Sequence, residues 1–143
     1  MGEFMRDPKY GTAAEIMALD WARLMAILED PDATVFAKAK ACQRLAVVGN
    51  HFTVGAIAPL LADPQLAHYA RFALEPAPAP AADQALREAA GRLKGRLLVG
   101  VINSIGMRRD PEAIPLLGRL VNDADPEVAR AAVEALARIR PPL

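Results

Sequence analysis

The sequence predicts an all-α protein, a stack of about four antiparallel helix pairs. Three observations carry that prediction. First, the composition is 53% hydrophobic but only 5% aromatic, with a single tryptophan, Trp21, and alanine supplies much of the apolar share. Alanine and leucine have the highest helix propensities, and small side chains let helices approach closely, whereas the β-branched and aromatic alternation of strands is missing. Second, a turn motif recurs at a spacing near thirty residues. Third, Asp-Pro pairs stand at 7–8, 30–31, 63–64, 110–111 and 125–126.

The recurring motif is Leu28-Glu29-Asp30-Pro31, then Leu61-Ala62-Asp63-Pro64, then Val121-Asn122-Asp123-Ala124-Asp125-Pro126 with two inserted residues. A weaker copy, Leu93-Lys94-Gly95-Arg96, lies between them. The aligned positions 28, 61, 93 and 121 are 33, 32 and 28 residues apart, the length that a helix–turn–helix unit requires. Each Asp-Pro pair reads as a helix start. The aspartate accepts hydrogen bonds from free N–H groups of the first turn, and proline fits the first helical position, where its missing N–H has no partner.

Taken in order, these signals place helices over residues 12–29 and 33–48, 52–62 and 65–75, 82–93 and 95–106, and 111–122 and 126–139. The second helix carries the apolar stripe Val35, Ala39, Cys42 and Leu45. Pro59, four residues after Gly55, predicts a kink or an early end in the third. Leu98, Ile102 and Ile105 form the stripe of the sixth helix. Pro115 lies near the start of the seventh and perturbs it less. In the eighth, Val128, Ala132, Leu136 and Ile139 make one face, and Glu127, Arg130, Glu134 and Arg138 make the opposite, charged one. Gly49 and Gly106 stand at expected helix stops. Residues 75–82, Glu-Pro-Ala-Pro-Ala-Pro-Ala-Ala, favour an extended polyproline conformation. They read as a stiff loop between the second and third pairs, or as a linker.

The chain has 143 residues, which suits a single domain, here 12–143, with a core large enough to fold without disulfides or metal. Residues 1–11 read as a flexible leader, partly vector-derived, since Met1-Gly2-Glu3-Phe4-Met5 resembles a tag joined to the chain at Met5. No run approaches the roughly 20 apolar residues of a membrane span. The single cysteine forms no intrachain disulfide. A reducing compartment such as the cytoplasm fits this, and export fits it as well.

The segment Asp123-Ala124-Asp125-Pro126-Glu127-Val128-Ala129-Arg130-Ala131-Ala132-Val133-Glu134-Ala135-Leu136 resembles bacterial HEAT-like repeat proteins. It has their aspartate turn, valine-plus-arginine start and alanine-leucine end, although Ala129 stands where an arginine is common. Asp110-Pro111-Glu112-Ala113-Ile114-Pro115-Leu116-Leu117 is similar to the preceding helix of such a repeat. The resemblance covers roughly residues 20–140 and is closest over 96–140. It implies a right-handed α-solenoid whose second helices line a concave, partner-binding surface. It leaves the partner open, because one scaffold hosts many functions.

No catalytic constellation is legible. The chain has no glycine-rich phosphate loop with its lysine and no His-Glu-x-x-His. His51, His68 and Cys42 do not make a four-ligand zinc site, so no metal or cofactor is expected. Cys42 lies on the apolar stripe and reads as a buried thiol, and His51 follows Gly49-Asn50 in a turn. In residues 68–72, Tyr69 and Phe72 read as core fillers, or the segment reads as a contact cluster with His68 and Arg71, since tyrosine and arginine anchor interfaces. Arg108 and Arg109 read as cations at a helix C-terminus or as an anion-binding corner. Asn103 bonds loop backbone or faces a partner.

The 17 basic and 17 acidic residues cancel, but unevenly. The second helices and their ends carry Lys38, Lys40, Arg44, Arg71, Lys94, Arg96, Arg108, Arg109, Arg130, Arg138 and Arg140. Only Glu75, Glu127 and Glu134 oppose them there. A basic surface of this kind steers acidic partners towards it. The expected function is therefore a non-catalytic protein-interaction scaffold for a protein partner, an acidic one by charge. Its candidate contacts are His68, Tyr69, Arg71, Arg96, Asn103, Arg108 and Arg109. The alternatives are nucleic-acid or other polyanion binding by the same face, and an accessory role in a lyase-type or cofactor-attachment system, by analogy with HEAT-like repeats in tetrapyrrole-attachment proteins. Self-association through end repeats is a further option.

Overall fold

The structure, a computed structural model, describes residues 5–78 and 80–139. Residues 1–4 of the expected leader, Ala79 of the Pro/Ala segment, Arg140 and the terminal Pro141-Pro142-Leu143 lie outside the described residues. Contacts group the chain into two compact units, residues 1–78 and 79–143, where the sequence reading has one domain over 12–143. The boundary falls in the proline-rich stretch, which does not take the extended polyproline form expected over 75–82: Glu75 and Pro80 have helical backbone angles, the Ala77 N–H donates to the Leu74 carbonyl, and a helix already begins at Ala81.

The first unit opens with a two-stranded antiparallel ribbon, β1 (Arg6–Asp7) and β2 (Gly11–Thr12). This corrects the flexible leader for residues 6–11. Asp7 is only 1% exposed. Its carboxylate accepts from the backbone N–H groups of Lys9 (2.7 Å), Tyr10 (3.0 Å) and Thr34 (2.8 Å), and from the Thr34 hydroxyl (2.9 Å). Burial pushes the Asp7 carboxyl up, but these bonds outweigh it and hold the pKa down to about 2. The ribbon is thus tied to the start of the second long helix.

Five helices follow: α1 (Ala13–Met17), α2 (Trp21–Glu29), α3 (Val35–Val48), α4 (Val54–Ile57) and α5 (Ala67–Leu74). The single helix expected over 12–29 breaks at 18–20. Asp20 caps α2 by accepting from the Arg23 N–H at 2.9 Å, and α1 has its own capping box of Thr12 and Glu15. Thr34, rather than Asp30, caps α3. Pro59 acts as expected: α4 stops and the chain tightens into a 3-10 turn, Ala58–Ala62. Gly49 closes α3. The α2–α3 hairpin and the α4–α5 hairpin meet through their second helices, α3 against α5. The buried face of α3 is Ala37, Ala39, Ala41, Cys42 and Leu45; Val35, expected on it, is exposed.

The second unit repeats this plan with α6 (Ala81–Ala90), α7 (Gly95–Arg108), α8 (Ile114–Leu120) and α9 (Pro126–Ile139). A 3-10 turn, Pro111–Ala113, leads into α8. The pairs are α6–α7 and α8–α9, and α7 against α9 is the broadest helix contact in the unit. Leu98, Ile102 and Ile105 are buried as expected. On α9 the buried stripe is Val128, Ala131, Ala132, Ala135 and Ile139, while Leu136 is half-buried. Gly106 does not end α7. A Cβ there would lie 3.0 Å from both Cα and Cβ of Ala135, so the glycine sits where α7 and α9 press together. The helix runs on to Arg108 and is closed by Arg109 in the left-handed conformation, φ 56°.

All five Asp-Pro aspartates make one local bond, from the carboxylate to the N–H two residues on. The acceptors and donors are Asp7 with Lys9 (2.7 Å), Asp30 with Asp32 (2.8 Å), Asp63 with Gln65 (2.8 Å), Asp110 with Glu112 (3.0 Å) and Asp125 with Glu127 (2.9 Å). This is an Asx turn. Only at Asp110 and Asp125 does helical structure begin at the following proline. At the other three the turn precedes a short connection, because another residue supplies the helix start.

Two outcomes test this packing. Gly106→Val overfills the α7–α9 contact and lowers stability by about 1–3 kcal/mol, whereas Gly118→Ala, a helical site with open space around it, raises it by about 0.5–1 kcal/mol; urea melts of both variants read the difference. The depressed Asp7 pKa means that the unfolded chain takes up this proton first as pH falls. Its stabilisation, about 2 kcal/mol, is present above pH 3.8 and is lost as pH falls to about 2. Asp7→Asn shows a flatter stability profile over that interval.

Candidate functional site

The second helices of each unit turn one alanine-rich face inward, so their larger side chains are displaced outward. In the first unit this opens a groove of about 640 Å³ lined by Met5, Val35, Phe36, Ala39, Lys40, Gln65 and Tyr69. Phe36 and Lys40 are one helical turn apart on α3. The Lys40 ammonium lies 5.8 Å from the Phe36 ring centre and donates to Gln43 Oε1 at 3.2 Å. Tyr69 of α5 supplies the opposite wall.

His68 is exposed beside the groove and meets the Tyr69 ring edge-on, 5.7 Å between centres. Tyr69 and Arg71 are half-buried. Phe72 is 53% exposed, which removes it from the core to which one reading assigned it. Its position on α5 follows from Ala70, Ala73 and Leu74 taking the buried side. A second exposed aromatic group lies on the same unit: Trp21 stacks on Phe52 at 5.9 Å and 11°, and His51 lies 4.0 Å from Phe52. His51 occupies a turn, as expected.

In the second unit, Arg96 and Asn103 are seven residues apart on the exposed side of α7, with Met107 one turn further on. Asn103 and Met107 face Glu134, Ala135 and Arg138 of α9 across a hollow of about 260 Å³. An adjoining one of about 210 Å³ adds Val99, Glu127, Arg130 and Ala131. The face between α7 and α9 therefore carries two acids and two bases on α9, a balanced charge.

Arg108 does not join that face. Its Nε donates to Asp83 Oδ1 of α6 at 2.5 Å, and the two side chains are only 10% and 17% exposed. Arg87 of α6 makes the reciprocal tie to Asp110, also at 2.5 Å. Arg108 thus holds α6 to α7, and truncating one member of such a buried pair strands the other. Arg109 is exposed but occupies the helix cap. The two arginines read together in the sequence point to different places.

The basic surplus of the second helices and their ends is shared by both units: Lys38, Lys40, Arg44 and Arg71 stand against Glu75 in the first, and Lys94, Arg96, Arg108, Arg109, Arg130 and Arg138 against Glu127 and Glu134 in the second. Phe36, Lys40 and Met107 were missing from the sequence-derived candidates. Phe36 and Lys40 share the i, i+4 spacing that a search for side-chain pairs would have caught; Met107 carries no such signal. Cys42 is fully buried, and burial pushes its thiol up to about 12, which leaves no thiolate at neutral pH. Among the described residues no group of His, Cys, Asp or Glu side chains is arranged to hold a metal ion, and no helix is long and apolar enough to cross a membrane.

Residues 81–143 match the family model for HEAT repeats. No curated protein matches the chain. HEAT repeats serve generally as scaffolds for protein–protein interaction. The match spans both hairpins of the second unit, α6–α7 and α8–α9. Over residues 81–143 this chain is therefore similar to HEAT repeats.

Proposed function

We propose that the chain is a non-catalytic interaction module that binds a protein segment on its second helices, with the α3–α5 groove as the primary seat. The observation that carries this reading is the groove itself: an apolar floor of Val35, Phe36 and Ala39, closed by Tyr69 and edged by Lys40. Apolar anchoring with a few polar groups at the rim is the usual anatomy of a recognition site. The lysines and arginines of α3 and α5 favour a partner that brings carboxylates beside its apolar residues. His68 and Arg71 extend this surface along α5. Arg96, Asn103 and Arg109 form a second contact area on the other unit, and Arg108 serves the fold.

The same basic helices favour a second reading, polyanion binding. Phosphate contacts would make affinity fall steeply with salt.

A capture experiment separates the two. The wild-type chain is used to recover partners from its host, followed by mass spectrometry, beside Lys40→Glu and Tyr69→Ala variants of unchanged helix content. At least one wild-type partner is expected to drop about tenfold with each variant, the size of a single interface anchor. Unchanged recovery of every partner with both variants would sink the groove as the seat. A gel shift of mixed DNA and RNA at low salt should show no retarded band; a salt-sensitive shift lost in Lys40→Glu favours the polyanion reading.

A further inference from the structure

Helix α9 has an outer face that no described residue of its own unit covers. Its buried stripe, Val128, Ala131, Ala132, Ala135 and Ile139, packs against α7 and α8. Ala135 is the residue that touches Gly106 of α7. Val133 is two residues away, which at 3.6 residues per turn is about 200° round the helix. It therefore points away from α7, on the side where a further repeat would stack, and it is 55% exposed. Ala129 and Leu136, one turn to either side, are half-buried.

The charges beside this stripe are ordered. Glu127, Arg130, Glu134 and Arg138 are all exposed and alternate in sign. Read in reverse, the order becomes Arg, Glu, Arg, Glu. An antiparallel copy of the helix therefore meets the original with the opposite sign at every step. Centring the crossing between Ala132 and Val133 brings Arg130 within one residue, about 1.5 Å along the axis, of Glu134 of the second copy, and Glu134 as near to its Arg130. It sets Ala129 against the second copy's Leu136, and the two Val133 side chains beside the two-fold axis. Like flanks meet in an antiparallel pair, so the charged flank meets its own image. Glu127 and Arg138 lie further round and reach each other at the ends. A parallel copy would instead set the charged flank against the flank of Ala129 and Leu136, leaving the charges without opposite partners.

We infer that α9 is a homotypic docking surface, through which two copies of this chain pair antiparallel about a two-fold axis. The contact is isologous: the same residues serve both sides. One helix pair is a small interface, so the association is concentration-dependent.

Sedimentation velocity of the full chain from micromolar to millimolar concentration tests this. The wild type should shift from monomer to dimer. Arg130→Glu and Glu134→Arg each place like charges opposite one another twice and should weaken pairing about tenfold or more. In an equimolar mixture of these two variants, the acid introduced at position 130 of one copy faces the base introduced at position 134 of the other. The native Glu134 of the first copy faces the native Arg130 of the second. The mixture should therefore recover the wild-type dimer. Val133→Asp abolishes pairing alone and in the mixture. A wild type that stays monomeric throughout, single variants that pair like the wild type, or a mixture that fails to regain the dimer each overturns the inference. All three positions are exposed, and circular dichroism checks that the variants keep their helix.

Discussion

Gly106 of α7 rests on Ala135 of α9, with the space for a Cβ already occupied at 3.0 Å by the alanine. Much of the second unit follows from that close approach. Helices that meet through glycine and alanine bring their backbones near, and every larger side chain must then lie above, below or outside the seam. Leu98, Ile102 and Ile105 fill the space towards the neighbouring helices. Asn103 and Met107 are left on the open side. The first unit uses the same device, with Ala37 and Ala41 on α3 and Ala70 and Ala73 on α5 buried. Phe36, Tyr69 and Phe72 are the displaced side chains there, and they are the ones that give the surface its character.

Close-packed alanine seams leave little apolar area per contact, and polar ties at the helix ends complement them. Asp7 joins the β1–β2 ribbon to the start of α3 through two hydrogen bonds from Thr34, and closes the ribbon's own turn with two more from Lys9 and Tyr10. Asp30 receives the Tyr10 hydroxyl at 2.6 Å. In the second unit the ties are ionic and reciprocal, Arg87 with Asp110 and Arg108 with Asp83. Both ties join α6 to the end of α7 and the turn after it, and removing one partner of such a buried pair would leave the other charge stranded. The pairing also withdraws those arginines from any role at the surface.

This division of labour bears on binding. A module whose buried ion pairs hold its hairpins in place offers partners what remains: apolar side chains displaced from the seams and the charged side chains that flank them. In the first unit that remainder is an aromatic-lined groove with a lysine at its edge. In the second it is a stripe on α9 in which two acids, Glu127 and Glu134, and two bases, Arg130 and Arg138, balance.

The amino-acid order alone determined the helical class, the helix pairs and their turns, because these are local properties. Helix propensity, apolar spacing and the bond from an aspartate to the N–H two residues on are complete within a few residues. Helix α9 was legible end to end for that reason, and Pro59 marked the transition in its helix. What only the tertiary structure decided depends on which residues meet across the fold. Gly106 reads locally as a stop, but it is a contact with a residue far along the chain. Arg108 and Arg109 read locally as one basic corner, but Asp83 claims the first and the helix cap claims the second. Residues 6–11 read as a loose leader because the group that orders them, Thr34, lies 27 residues beyond Asp7. The groove of Phe36, Lys40 and Tyr69 likewise exists only where α3 and α5 are brought together, since neither helix presents it by itself.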